Sequence, residues 1–181
     1  MLRTHYLTDA QQKCKSVRCP LSTDQARLRP PSASDEYVMT SETGPAYLEP
    51  TQASGRDFMM RGIEGEVVML NLLRFRDVAD YSATPDLAPD APLSGAAAYR
   101  LYIEHTLPHL RESGGDIEFM GEGGTFLIGP SDERWDMVLL VRHKDVPTFL
   151  SFAANEEYLS GMGHRLAAIS DSRLLPIYGG Q

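Results

Sequence analysis

The sequence predicts an α+β domain of the ferredoxin-like kind, with elements in the order β-α-β-β-α-β. Three observations carry that prediction. Short apolar runs begin near Val67, Asp116, Trp135 and Arg173; two stretches of helical spacing follow the capping residues Ser94 and Asp145; and glycine pairs punctuate the joins.

Each element has its own signal. Val67-Val68-Met69-Leu70-Asn71-Leu72-Leu73 opens on β-branched residues and is apolar on both faces, the pattern of a central strand covered on both sides. A loop rich in Pro and Asp follows over residues 77–93. Ser94 can cap a helix in which Tyr99, Tyr102, Ile103, Thr106, Leu107 and Leu110 recur at helical spacing, and Gly114-Gly115 stops it. The second strand spans Asp116 to Gly121, Gly123-Gly124 and Gly129-Pro130 mark a long hairpin connection, and Trp135 to Val141 form the third strand. Asp145 caps the second helix, with Pro147 in its first turn and Phe149, Leu150, Phe152 and Ala153 as its apolar face. The second half of that helix carries Gly161 and Gly163, so a break or kink is expected near them. Arg173 to Tyr178 form the last strand.

These signals set the domain limits at 62–178, after a lead-in segment over 46–61. Residues 1–45 mix Pro, Ser, Thr and charge without period, and read as a disordered N-terminal extension or as translation assigned from an upstream start, with Met39 or Met59 the true one. The chain of 181 residues, 42% hydrophobic and 23% charged, has the balance of a soluble protein with one core, which excludes a coiled coil or a wholly disordered chain. Residues 1–61 hold 8 Lys or Arg against 7 Asp or Glu, and residues 62–181 hold 9 against 18, so the folded part is acidic. Such a domain repels phosphate backbones and anionic lipid surfaces, leaving neutral or cationic small molecules or another protein as partners, with no nucleic acid and no membrane. No run approaches the roughly 18 apolar residues of a membrane span. The domain is free of cysteine, Cys14 and Cys19 lying upstream, which suits a reducing, cytoplasmic setting.

The strands are apolar on both faces, whereas two helices cover only one. Val68, Leu70 and Leu72 oppose Val67, Met69 and Leu73, and Val138 and Leu140 oppose Met137, Leu139 and Val141. The uncovered face predicts a homodimer packed sheet on sheet.

The strand Val68-Met69-Leu70-Asn71-Leu72-Leu73-Arg74-Phe75-Arg76, the turn Gly114-Gly115, the pair Trp135-Asp136 and the tail from His164 to Pro176 resemble the bacterial uncharacterised domain family numbered thirteen-thirty. The resemblance covers about Tyr47 to Ile177. It implies membership of the dimeric α+β barrel superfamily, in which ferredoxin-like protomers dimerise through their sheets. It implies little about chemistry, since relatives in that superfamily include cofactor-free monooxygenases, decarboxylases, isomerases and haem enzymes.

Topology brings Asn71, Arg74, His164, Arg165, Asp171 and Arg173 to one end of the sheet, with Tyr99, Tyr102, Trp135 and Asp136, and sends His109, Asp116, Arg142 and His143 to the other. Asn71 interrupts an apolar strand, where an unpaired amide costs roughly 1 to 3 kcal/mol, so it either fixes the fold through a partner or orients a ligand. His164 at a helix end gains from the helix dipole, which explains it without a substrate; beside Asp171 it is also the candidate general base, with the carboxylate orienting its ring. The arginines form an ion-pair network with Asp171 and Asp136, or one left unpaired clamps a substrate carboxylate. The expected set is therefore His164 and Asp171 for catalysis, with Asn71, Arg74, Tyr99, Tyr102, Trp135 and Arg173 for substrate.

His105 and His109 have the four-residue spacing of a metal pair, but no third ligand is evident, and no metal is expected. The glycine-rich segments lack the strand-to-helix context of a phosphate loop, and the folded part has neither a cysteine nucleophile nor a Gly-x-Ser-x-Gly elbow. The expectation is a cofactor-independent small-molecule enzyme or binding protein for an apolar oxygenated metabolite, of oxygenase, isomerase or decarboxylase type if catalytic. The rival is a homodimeric interaction module with no pocket; a space of about 300 Å³ or more near Asn71 would favour the first.

Overall fold

The computed structural model describes residues 46–179. The extension over 1–45, with Cys14 and Cys19, lies outside the described residues. Four strands, β1 (Val67–Phe75), β2 (Asp116–Glu122), β3 (Met137–His143) and β4 (Ile169–Ile177), pair antiparallel in the order β2-β3-β1-β4. With helix α2 (Gly95–Glu112) after β1 and the helices α3 (Val146–Ala153), α4 (Glu156–Ser160) and α5 (Met162–Ala168) after β3, this is the ferredoxin-like arrangement.

Alternation along β1 sends Val67, Met69 and Leu73, all at most 2% exposed, toward the helices. There Leu73 packs with Leu139 of β3, Ala98, Tyr99 and Tyr102 of α2, and Ala168 at the end of α5. Ser94 caps α2 by accepting from the Ala97 amide, and Gly114, at φ 83°, provides the left-handed residue that ends the helix region. Pro108 lies within α2 without breaking it.

The second helical stretch is divided further than its glycines predict. Asn155 accepts from the Tyr158 amide and starts a new helix, a cap-and-acid signal (Asn155-Glu156-Glu157) legible in the sequence. The second break falls at Gly161, where a Cβ would collide with the His105 imidazole, so the close passage of α2 requires glycine there. The last strand begins at Ile169 rather than Arg173. A register shift between Arg74 and Phe75 lets Phe75 pair with Ile169 while Arg74 pairs with Asp171, which draws the chain into the sheet directly from α5.

The lead-in segment packs on the domain. Its helix α1 (Gln52–Met60) begins with a reciprocal cap between Thr51 and Ser54. Upstream of it, Tyr47 donates its amide to Asp171 Oδ1 at 2.8 Å and accepts from the Ser172 amide at 3.0 Å, running beside β4. Phe58 meets Phe149 edge-on, 5.9 Å between ring centres.

Among the described residues nothing covers the other face of the sheet. Val68, Leu70, Leu72, Val138 and Leu140 are half-buried there, and Phe119, Leu175 and Ile177 are 54%, 53% and 43% exposed.

Candidate functional site

A cavity of about 450 Å³ lies between the helix-facing side of the sheet and the helices. Its floor is Met69, Asn71, Leu139 and Val141, and its far wall is α2, from Tyr99 to Leu110. Glu49, Pro50, Leu159 and Leu174, the exposed members of the lining, mark its open side. The lead-in segment thus forms part of the rim.

Most of the lining is apolar, so its few polar atoms stand out. Thr106 Oγ1 and His143 Nδ1 are buried and have no hydrogen-bond partner among the described residues, in residues 7% and 2% exposed. Asn71 donates its side-chain amide to the Met69 carbonyl at 3.0 Å, and no bond to its side-chain oxygen occurs among the described residues. The Tyr102 and Tyr158 hydroxyls are 3.1 Å apart, so one donates to the other and the acceptor keeps its own proton free. Burial pushes the Tyr99 and Tyr158 phenols well above their ordinary range, against the opposing pull of Arg165, so both remain protonated donors.

His143 ends β3 and packs against Phe149 and Phe152, with ring centres 5.0 and 5.6 Å away. Burial first, and the neighbouring Arg142 second, push its pKa down to about 4. The imidazole is neutral at pH 7.

The structure divides the expected site residues into three places. Asn71, Tyr99 and Tyr102 line the cavity. Arg74, Trp135 and Arg173 form a cation-aromatic stack elsewhere. There the Trp135 ring lies 5.3 Å from the Arg74 guanidinium and 4.9 Å from that of Arg173, which also lies 4.6 Å from the Tyr47 ring. Strand parity separates the two groups: Arg173 pairs with Leu72, and Asn71 with Leu174, so Arg173 and Asn71 project from opposite faces. Arg74 donates twice to the Arg134 carbonyl, and Arg134 pairs with Asp136.

The expected pairing of His164 with Asp171 is not formed. Asp171 Oδ1 is bonded to Arg173 at 2.7 Å and to the Tyr47 and Ser172 amides. Burial would raise its pKa, but those amides and the guanidinium together hold it below the usual carboxylate value. His164 faces the loop after β1, where its Nδ1 lies 2.8 Å from the Tyr81 hydroxyl. Burial and then His105 lower its pKa. His105 Nε2 lies 2.8 Å from the Glu157 carbonyl, and among the described residues no group of three His, Cys, Asp or Glu could hold a metal.

His143 and Thr106 lie outside the expected set. The signal for His143 was the alternation Leu139, Val141, His143, which puts an imidazole on the buried face of β3. Thr106 carried an equally plain one, a hydroxyl within the apolar stripe of α2.

No family model matches the chain, and no curated protein matches it. Among solved structures, two of the RPA0582 protein, of unknown function, from Rhodopseudomonas palustris are similar to it. Both are 31% identical with a TM-score of 0.67; one alignment covers 75% of this chain and 96% of that one, the other 76% and 99%. A dimeric ferredoxin-like protein of unknown function from Thermobifida fusca is 11% identical, with a TM-score of 0.39 over 63% of this chain and 91% of that one. Among the described residues no helix is long and apolar enough to cross a membrane.

Proposed function

The chain belongs to the family of the Rhodopseudomonas palustris RPA0582 protein, and from the cavity it carries we propose that it binds a small, largely apolar molecule bearing oxygen. One observation carries this reading: a space of about 450 Å³ with a mostly apolar lining that includes Thr106 and His143, whose Oγ1 and Nδ1 are buried and have no partner among the described residues. Leaving two such groups without partners costs roughly 1 to 3 kcal/mol each in a folded protein, a penalty that a ligand oxygen removes. The volume is that of a small-molecule site and speaks against a module with a filled interior.

If the protein is an enzyme, it is of the cofactor-free kind, with neutral His143 as proton acceptor and Asn71 or a tyrosine hydroxyl orienting a carbonyl or hydroxyl. Its placement in family thirteen-thirty belongs to the same reading and rests on the residue pattern alone. So does the homodimer, in which a second copy covers the apolar outer face; an antiparallel sheet with Leu70 and Leu140 at its centre is self-complementary under a two-fold axis.

The test is titration with 1-naphthol, an apolar molecule with one hydroxyl. Saturable binding is expected, weakened about tenfold, or 1.4 kcal/mol, in Thr106→Val and in His143→Phe. Absence of saturable binding, or binding indifferent to both substitutions, defeats the reading.

A further inference from the structure

Among the described residues Arg165 is the one Lys or Arg in the cavity lining. It stands on α5, where one guanidinium nitrogen donates to the Leu48 carbonyl at 2.9 Å. Among the described residues it enters no ion pair, unlike Arg111, Arg134, Arg142 and Arg173, each of which has a carboxylate. Glu49, the other formally charged side chain in the lining, is exposed and makes no ion pair with it. The guanidinium is near enough to the Tyr99 and Tyr158 phenols to pull their pKa values down against burial. Its surroundings are therefore protonated phenols and apolar walls, with the exposed Glu49 at the rim and no carboxylate within ion-pair distance among the described residues.

The register gives the cavity two unlike ends. His143 pairs with Val67 at the start of β1, while Tyr47, next to the Leu48 that Arg165 holds, bonds Ser172, which pairs with Leu73. A neutral imidazole thus lies toward the start of β1 and a cation toward its far part, with Met69 and Asn71 between.

We propose that the ligand is an organic monocarboxylate, with its carboxylate on Arg165 and its apolar body lying along β1 toward His143. This rests on the reading of the cavity as a ligand site and adds the charge of the ligand to it. A half-buried cation without a counter-charge is costly, and a carboxylate supplies both the charge and the two oxygens that a guanidinium fork accepts. The free proton of the Tyr102–Tyr158 pair offers a further donor on the same wall. The acidity of the domain does not oppose this, since its surface charges are screened over about 8 to 10 Å at physiological ionic strength, whereas Arg165 acts in direct contact.

The test compares 4-phenylbutanoate with its uncharged amide, 4-phenylbutanamide, by calorimetry on the full chain at pH 7. The wild type is expected to bind the acid at least tenfold more tightly than the amide. Arg165→Met should bring the acid down to the level of the amide and leave the amide unchanged, and Arg165→Lys should keep part of the preference. Arg111→Met, on the surface, should change neither. Equal affinity of the wild type for acid and amide overturns the carboxylate assignment; if both are weakened by Thr106→Val, the cavity reading survives that failure. If neither compound binds, the assignment and the cavity reading fall together. The wild-type comparison needs no substitution, so a misfolded variant leaves it decisive.

Discussion

The Nδ1 of His164 lies 2.8 Å from the hydroxyl of Tyr81, and their rings meet edge-on at 5.6 Å, which ties α5 to the loop after β1. The imidazole serves the fold there, away from the cavity lining. His164→Ala is therefore expected to cost about 0.5 to 1.5 kcal/mol of stability, the worth of one hydrogen bond, and to leave 1-naphthol affinity within twofold. A tenfold loss of affinity with unchanged stability would return His164 to the site.

Thr106→Val replaces an unpartnered buried hydroxyl by a methyl of the same shape. The apo protein should gain stability, by up to about 1 kcal/mol in denaturant unfolding, while ligand affinity falls. Opposite signs for stability and binding are the mark of a group kept for a ligand; a loss in both would make Thr106 a packing residue.

His143 makes a pH prediction. Its folded pKa, about 4, is below the ordinary 6.5 of an unfolded chain, so the unfolded state binds the extra proton between those values. Stability should rise with pH from about 4 to 6.5 and level off above. Asp171, whose pKa is lowered in the fold, adds stability that is lost only at more acid pH, as it protonates. Thermal melts at pH 5 and pH 7 should differ in the wild type, and by clearly less in His143→Phe.

The sheet face that no described residue covers predicts assembly. A dimer through it should bury more than about 1,200 Å², and Leu70→Glu, at the centre of that face, should give a folded monomer by sedimentation at micromolar concentration. A wild type that sediments as a monomer would end the idea.

The lead-in is tied down by the Tyr47–Asp171 and Arg165–Leu48 bonds and by Phe58 on Phe149. A chain starting at residue 62 should melt several degrees below one starting at residue 46, since each 1 kcal/mol shifts the midpoint by about 4 to 8 °C in a domain of this size. Equal midpoints would show that these contacts add nothing.

The strand and helix order was legible in the sequence because it rests on local rules. Two-sided apolar runs make central strands, Ser94 and Asp145 carry cap signals, and Gly114-Gly115 stops a helix; each is read within one turn or one strand. Asn71, Tyr99 and Tyr102 were legible as site candidates for a related reason, being polar tips in apolar stripes. What tertiary structure alone decided was which polar residues share a space. Arg74, Arg173 and Asn71 lie within three positions of one another across β1 and β4, yet parity sends Arg173 to the face opposite Asn71, into a stack with Trp135 and Tyr47. His143, at the far end of β3, reaches the cavity because the cavity runs along β1 instead of sitting at its tip. Arg165 was visible as a charge at a helix end, but its freedom from any carboxylate among the described residues is a property of packing. Propensity and capping act over a few residues and are written in order along the chain; the pairing of charges and the emptiness of a cavity are sums over distant segments, which only the folded arrangement brings together.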